Sequence, residues 1–269
     1  MPEPIVRTYV ITGASSGIGA QFARACAARG WSLVLVARRL DRLNALAAEL
    51  RDSHSVSVTC IAADLGKRSA VDSLLNEIKT QNLQIDGLVN NAGYSLARTF
   101  AATPAEQQMD FIEVCVSTPT YLAHALLGHM LQQGFGRIIN VSSMVAFSPG
   151  AAGHTLYPAA KAYMLKFSRS LNAEVADKGI LVTALCPGST ESEFQQVNGM
   201  TEVLKARPSR FVQSAQSVVE AALRANEKGK EVIVTGLINK IAVAVMTLLP
   251  DGLVTPLIRW GARRYQIHD

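Results

Sequence analysis

The sequence predicts an α/β protein built on a doubly wound, seven-stranded parallel sheet, and three observations predict it. Apolar, β-type runs recur at 6–11, 32–37, 56–62, 87–90, 137–141, 180–185 and 231–234. They lack alternation between polar and apolar residues, as expected of strands covered on both faces. Longer stretches with helical periodicity lie between them, at 18–29, 41–51, 105–133, 158–178 and 214–228. Strands that alternate with helices of this length form parallel sheets with crossover helices.

A chain of 269 residues can bury one large α/β core without dividing in two. No internal repeat or low-complexity linker interrupts it, so residues 1–269 are expected to form a single domain. Residues 187–206 read poorly as helix or strand and follow the sixth strand, at the carboxyl edge where such sheets bind ligands.

With 49% hydrophobic and 17% charged residues, the composition is that of a soluble globular protein. The net charge of +5 is spread along the chain in short pairs such as Arg38-Arg39 and Arg263-Arg264. No basic stripe forms, which argues against a nucleic-acid partner. Cys26, Cys60, Cys115 and Cys186 are far apart and make no metal-type or disulfide-type pattern, which fits a reducing, cytoplasmic setting. His124, His129 and His154 are read as surface or partly packed side chains, and no metal site is expected. No signal peptide and no run of the roughly 20 apolar residues of a membrane span is expected.

The segment Thr12-Gly13-Ala14-Ser15-Ser16-Gly17-Ile18-Gly19 follows the first strand and opens the first helix. Gly13 permits a sharp turn, Gly17 a close approach of backbone to a pyrophosphate, and Gly19 tight helix–strand packing. The N–H groups at the helix start, from Ser15 and Ser16 through Ile18, suit an anion. A glycine trio alone is weak evidence, but its strand–turn–helix setting at the first crossover predicts a Rossmann-type dinucleotide site. The second strand ends in Ala37-Arg38-Arg39, where NAD-selective folds carry an acid. A carboxylate repels a ribose 2′-phosphate, whereas a guanidinium offers a multi-donor fork, so the cofactor expected is NADP(H).

Tyr157 and Lys161 lie four residues apart at a helix start and share a face. A tyrosine, with its ordinary pKa near ~10, needs help to move a proton at neutral pH, and a nearby ammonium would lower that value. Ser142 and Ser143 end the fifth strand, where a hydroxyl can point into the cleft and donate to a substrate oxygen.

Together these pieces resemble the short-chain dehydrogenases/reductases over nearly the whole chain. The matching motifs are Thr12–Gly19, Asn90-Asn91-Ala92-Gly93, Ser142-Ser143, Tyr157-Pro158-Ala159-Ala160-Lys161 and Pro187-Gly188. The resemblance implies an oxidoreductase that moves hydride between nicotinamide and a carbonyl or alcohol. It implies that Ser143 polarises the carbonyl, Tyr157 transfers the proton, and Lys161 binds the nicotinamide ribose. It further implies that Asp64, in Ala63-Asp64-Leu65, contacts adenine; that Asn90, Ala92 and Gly93 line the cofactor; and that Pro187 and Gly188 turn beside the nicotinamide, with Thr190 or Ser192 near its carboxamide. A homodimer or homotetramer on the helices at 105–133 and 158–178 is also implied.

Two departures stand out. Val114-Cys115-Val116 occupies the place where the family usually has an asparagine that helps hold a water linking the lysine to solvent. A thiol cannot replace an amide, so a catalytically impaired, dinucleotide-binding regulator is the alternative to an enzyme. Ser143 also lies one residue further from Tyr157 than is commonest in the family, which leaves the choice between Ser142 and Ser143 open.

The substrate side falls to 187–206, with Phe194, Val197, Met200, Val203 and Leu204 as a lid-like pattern of apolar residues at helical spacing, and to the C-terminal segment 237–269. Residues 237–249 form an apolar, helix-like run that Pro250 ends. It is read as packing over the cleft or against another subunit, with peripheral contact to a membrane surface as the functional alternative. Either way the pocket is expected to be apolar and the substrate a hydrophobic carbonyl or alcohol.

Overall fold

The computed structural model describes residues 6–96, 98–150, 155–191 and 212–262, with backbone alone at 257–262. Residues 192–211, which include Ser192 and the apolar positions from Phe194 to Leu204, lie outside the described residues, as does His154.

The elements run β1 (Thr8–Thr12), α1 (Gly17–Ala27), β2 (Ser32–Ala37), α2 (Leu40–His54), β3 (Val58–Ala62), α3 (Arg68–Thr80) and β4 (Gly87–Asn90). They continue with α4 (Ala105–Ile112), α5 (Thr118–Gln133), β5 (Gly136–Val141), α6 (Leu156–Val175), β6 (Ile180–Cys186), α7 (Ala215–Glu227), β7 (Val232–Val234), α8 (Leu237–Leu248) and α9 (Asp251–Ala262). The seven strands form one sheet in the order β3-β2-β1-β4-β5-β6-β7, and every pairing is parallel. The expected doubly wound, Rossmann-type sheet is therefore present.

The missing polar alternation has its reason in the packing. Tyr9 and Ile11 of β1, with Leu33 and Leu35 of β2, face a core closed by α1, α2 and α7. Val10, Val34 and Val36 face the opposite core, closed by α3, α5 and α6. Both side-chain directions are thus dry, and each buried aliphatic contributes about 1.5–3 kcal/mol. Helix α3, which the periodicity reading did not single out, buries only the narrow stripe Val71, Leu74 and Ile78.

The long helix expected over 105–133 is interrupted. Residues Glu113–Ser117 are π-helical, with the Thr118 N–H bonded to the Glu113 carbonyl five residues back. Pro119 has no N–H to give to Cys115, four residues back. A π-turn here widens the helix at Cys115, and such turns concentrate at functional sites.

Between β4, β5 and α6 lies a buried amide network. Asn90 Nδ2 donates to Asn140 Oδ1 at 2.9 Å and to the Pro119 carbonyl at 3.1 Å. Asn140 Nδ2 donates to Ser168 Oγ at 2.9 Å, whose hydroxyl in turn donates to the Met164 carbonyl at 2.7 Å. Removing one member strands the others in a dry interior, at about 1–3 kcal/mol per group. Asn140→Ala is expected to lower stability by roughly 2–4 kcal/mol, read as an earlier urea midpoint; an unchanged midpoint would show that the network contributes little.

Candidate active site

The phosphate loop is held in shape from below. Thr12 Oγ1 donates to the Val89 carbonyl at 3.2 Å and accepts from the backbone N–H groups of Asn91 and Ala92, both at 3.0 Å. Asn91 Nδ2 returns bonds to the carbonyls of Thr12 and Gly13, at 2.9 and 3.3 Å. Gly13 and Gly17 sit at φ +66° and +54°. A Cβ on Gly19 would lie 2.3 Å from the Gly13 carbonyl oxygen, so nothing larger than glycine fits. Helix α1 opens at Gly17 with Ser16 extended before it and no acid in its first turn, which leaves its positive end for an anion. Arg39 Nη2 lies 3.1 Å from Ser15 Oγ and 3.2 Å from Ser16 Oγ. The arginine at the end of β2 is thereby drawn over the loop, with Arg38 exposed beside it.

Further along the same sheet edge, Asp64 Oδ1 accepts from the Gly66 N–H at 3.2 Å. Buried Leu65 offers its carbonyl to Thr118 Oγ1 at 2.8 Å. Asn90 does not point its amide toward the loop. Its nitrogen is spent on Asn140 and Pro119, and its Oδ1 is buried with no hydrogen-bond partner. Gly93 packs closely, since a Cβ there would meet Cys115 Sγ at 3.5 Å and Lys161 Nζ at 3.7 Å.

Ser142 and Ser143 have different partners. Ser142 is buried, and its hydroxyl donates to the Lys161 carbonyl at 2.7 Å, fixing α6 to the end of β5. The Ser143 hydroxyl is hydrogen-bonded with the Tyr157 phenol and accepts from the Val145 N–H at 3.3 Å. Lys161 Nζ lies 5.6 Å from the Tyr157 ring centre and donates to the Val141 carbonyl at 2.8 Å. The two side chains thus share a helix face, as their spacing predicts.

The protonation balance differs from the expectation of a lowered tyrosine. Burial pushes the Tyr157 phenol up to about 12, against the opposing hydrogen bond from Ser143. Burial also draws the Lys161 ammonium below the usual lysine range. Desolvation therefore outweighs the Ser143 hydrogen bond and favours the protonated phenol. That is the form a proton donor needs.

Cys115 stands beside this pair. With Thr12, Asn90, Thr118, Pro119 and Lys161 it lines a small cavity with room for about one water molecule. Asn90, whose Oδ1 has no hydrogen-bond partner, and Lys161 are among its walls. Burial raises the Cys115 thiol, with Lys161 and the Tyr94 N–H opposing. A second cleft opens beside Tyr157, lined by Leu96, Phe100, Thr103 and Leu156, with the exposed Arg98 at its rim.

On the other side, Pro187 and Gly188 follow β6. A Cβ on Gly188 would lie 2.4 Å from Asn239 Nδ2 of α8. Thr190 pairs with Gln213 in an isolated parallel bridge, which holds the two ends of 191–212 side by side. Sequence reasoning named Asn91 only as part of a motif and did not single out Thr12 or Asn239. Thr12 and Asn91 act through bonds to backbone distant in the chain, and Asn239 through Thr235 and the Gln213 side chain; one chain offers no spacing signal for any of them.

A profile of the short chain dehydrogenase family matches residues 7–202, and the chain belongs to that family of oxidoreductases. Among its relatives, the sulfoacetaldehyde reductase of Chromohalobacter salexigens is 38% identical over 70% of this chain and 74% of its own. A short-chain dehydrogenase from Sphingobium yanoikuyae, solved in complex with NADPH, superposes with a TM-score of 0.80 at 34% identity, covering 91% of this chain and 96% of that one. The bulky-bulky ketone specific alcohol dehydrogenase from Comamonas testosteroni gives 0.77 at 31%, over 92% and 96%.

The thiols order themselves by access. Cys60 is partly exposed, whereas Cys26, Cys115 and Cys186 are buried, and burial raises the Cys115 pKa so that little thiolate forms at neutral pH. Iodoacetamide is expected to label Cys60 first in the native protein, followed by mass spectrometry. Rapid labelling of Cys115 would instead mark it as a reactive thiol.

Proposed function

We propose that this oxidoreductase is an NADP(H)-dependent carbonyl reductase, or alcohol dehydrogenase in the reverse direction, for a hydrophobic substrate. The observation that carries the reading is the pairing of Ser143 with Tyr157, one helical turn from buried Lys161.

The dinucleotide supplies the hydride that reaches the carbonyl carbon. The chain's residues do the rest. Backbone N–H groups from Gly13 through Gly19, with Ser15, Ser16 and Ile18, cradle the pyrophosphate. Arg39, held over the loop by Ser15 and Ser16, and Arg38 receive the ribose 2′-phosphate. Asp64 and Leu65 border the adenine, and Asn90, Ala92, Gly93, Pro187, Gly188 and Thr190 border the nicotinamide half. Ser143 donates to the carbonyl oxygen and Tyr157 delivers its proton to that oxygen as the C–O bond becomes an alcohol. Lys161 holds the nicotinamide ribose and favours the phenolate left behind. Reprotonation runs through the one-water cavity, where Asn90 Oδ1 and the backbone of Cys115 take over much of the task the family gives to an asparagine side chain. That route favours an active enzyme over a binding-only regulator.

Leu96, Phe100 and Leu156 beside Tyr157 support an apolar substrate, and the Comamonas testosteroni relative is named for bulky ketones. Arg98 at the same rim favours a second reading, a carbonyl that bears an anion, as the Chromohalobacter salexigens relative's name describes.

NADPH oxidation against bulky aromatic ketones and against sulfoacetaldehyde is expected to favour the ketones; the opposite order would select the anionic reading. Tyr157→Phe should lose about 10²-fold or more of the turnover while still binding NADPH. Arg39→Asp should shift preference from NADPH toward NADH by about tenfold or more. Cys115→Asn is expected to raise turnover, and an unchanged value would remove the side chain from the relay. NADPH binding with no turnover on any substrate would favour the binding-only role.

A further inference from the structure

Helix α8 turns apolar side chains to solvent. Its solvent face carries Leu237 and Leu248, which are 74% and 81% exposed, with Ile238, Ile241 and Val245 between them. Residues 237, 241, 245 and 248 form one stripe at helical spacing, and exposed Leu253 of α9 follows it. Asn239, one of the polar residues of α8, lies on the inner side. It donates to the Thr235 carbonyl at 2.8 Å, meets the Gln213 amide, and packs on Gly188. No residue of α8 is buried. An apolar stripe of this size, turned outward while the polar side chain is tied inward, marks a surface that something else covers.

The charges say what covers it. Lys240 is exposed on the flank of the stripe, and the sequence of α9 and beyond adds Arg259, Trp260, Arg263, Arg264 and Tyr265. Asp251 is the one acidic residue between 237 and 265. An exposed apolar stripe with Lys240 on its flank, followed in the sequence by Arg, Trp and Tyr, fits the boundary between acyl chains and anionic headgroups. A second copy fits less well, because a two-fold contact on this face would bring Lys240 of each copy to a helix that carries no carboxylate. Twelve residues of helix reach about 18 Å, short of the ~30 Å hydrocarbon core, and among the described residues no helix is long and apolar enough to cross a membrane. The helix therefore lies along the surface.

We infer that α8 and α9 form a peripheral docking face for an anionic lipid bilayer. This is independent of the reductase reading. Because α8 also packs on the turn Met144–Phe147 that follows Ser143, docking sets the candidate site next to the lipid.

The test is flotation of the full chain with vesicles of phosphatidylcholine alone and of phosphatidylcholine with phosphatidylserine at three parts to one. The chain is expected to float with the mixed vesicles, less with the neutral ones, and less again as salt rises. Ile241→Glu with Leu248→Glu should cut the bound fraction on the order of tenfold or more. Both positions are exposed, and an unchanged thermal melt checks that the variant folds. Replacing Arg259, Arg263 and Arg264 by Gln should remove most of the salt dependence. Wild-type protein that stays unbound with mixed vesicles overturns the inference, as does binding that the double variant leaves intact. A lipid-free dimer that the double variant dissociates, with no vesicle capture, assigns the face to a second copy and overturns it too.

Discussion

The hydrogen-bond clasp between Thr12 and Asn91 is the constraint on which the site depends. Its importance comes from where it sits. Chain order runs outward from β1 through β2 to β3, then returns to β4 on the other flank of β1 and proceeds to β7. The carboxyl ends of β1 and β4 therefore diverge, and the loops that leave them open a crevice at that switch point. A crevice between two strand ends is useful only if its walls are fixed. One threonine hydroxyl holds three backbone groups and one asparagine amide holds two. The glycine loop and the segment 90–93 thus move as a unit. Gly13 could not carry a side chain in this arrangement, since its Cβ would lie 2.8 Å from the Asn91 amide nitrogen. Glycine freedom and clasp rigidity are two sides of the same geometry.

From that fixed edge the rest of the site is positioned by elements that answer to it. The Asn90–Asn140–Ser168 network carries the position of β4 into β5 and α6. Ser142 then pins the α6 backbone at Lys161 to the end of β5. Tyr157 and Lys161 reach the cleft because α6 is tied at Lys161 to the end of β5. The desolvation that raises the Tyr157 phenol follows from this tight closure: the packing that sets the geometry also withdraws water from the phenol.

Much of this was legible in the sequence, and the rest was not for physical reasons. The strands and crossovers were readable because both faces of the sheet are dry, which leaves continuous apolar runs. The phosphate loop and the Tyr157/Lys161 pair were readable because their residues are close in the chain and their geometry is local. The choice between Ser142 and Ser143 was not, since adjacent residues in a strand point to opposite sides and only the position of α6 decides which one meets the tyrosine. The burial that raises the Tyr157 phenol was out of reach for a related reason: sequence shows the neighbouring charge but not the packing that opposes it. The π-turn at Cys115 lay hidden inside an otherwise regular helical pattern, and Pro119 was its one trace.

Cys115 shows how the pieces combine. Read alone, a cysteine where the family places an asparagine suggests a broken relay. In the structure, the neighbouring Pro119 denies the Cys115 carbonyl its ordinary partner, and Asn90 brings an unpaired Oδ1 to the same cavity as Lys161. A water there needs polar contacts from two to four groups, and the cavity walls offer them without any side chain at position 115 beyond a small one. The thiol is kept inert by burial and adds bulk where an amide would add a donor and an acceptor. On the proposed reading, the loss of the asparagine changes how strongly a water there would be held and leaves Lys161 within reach of it.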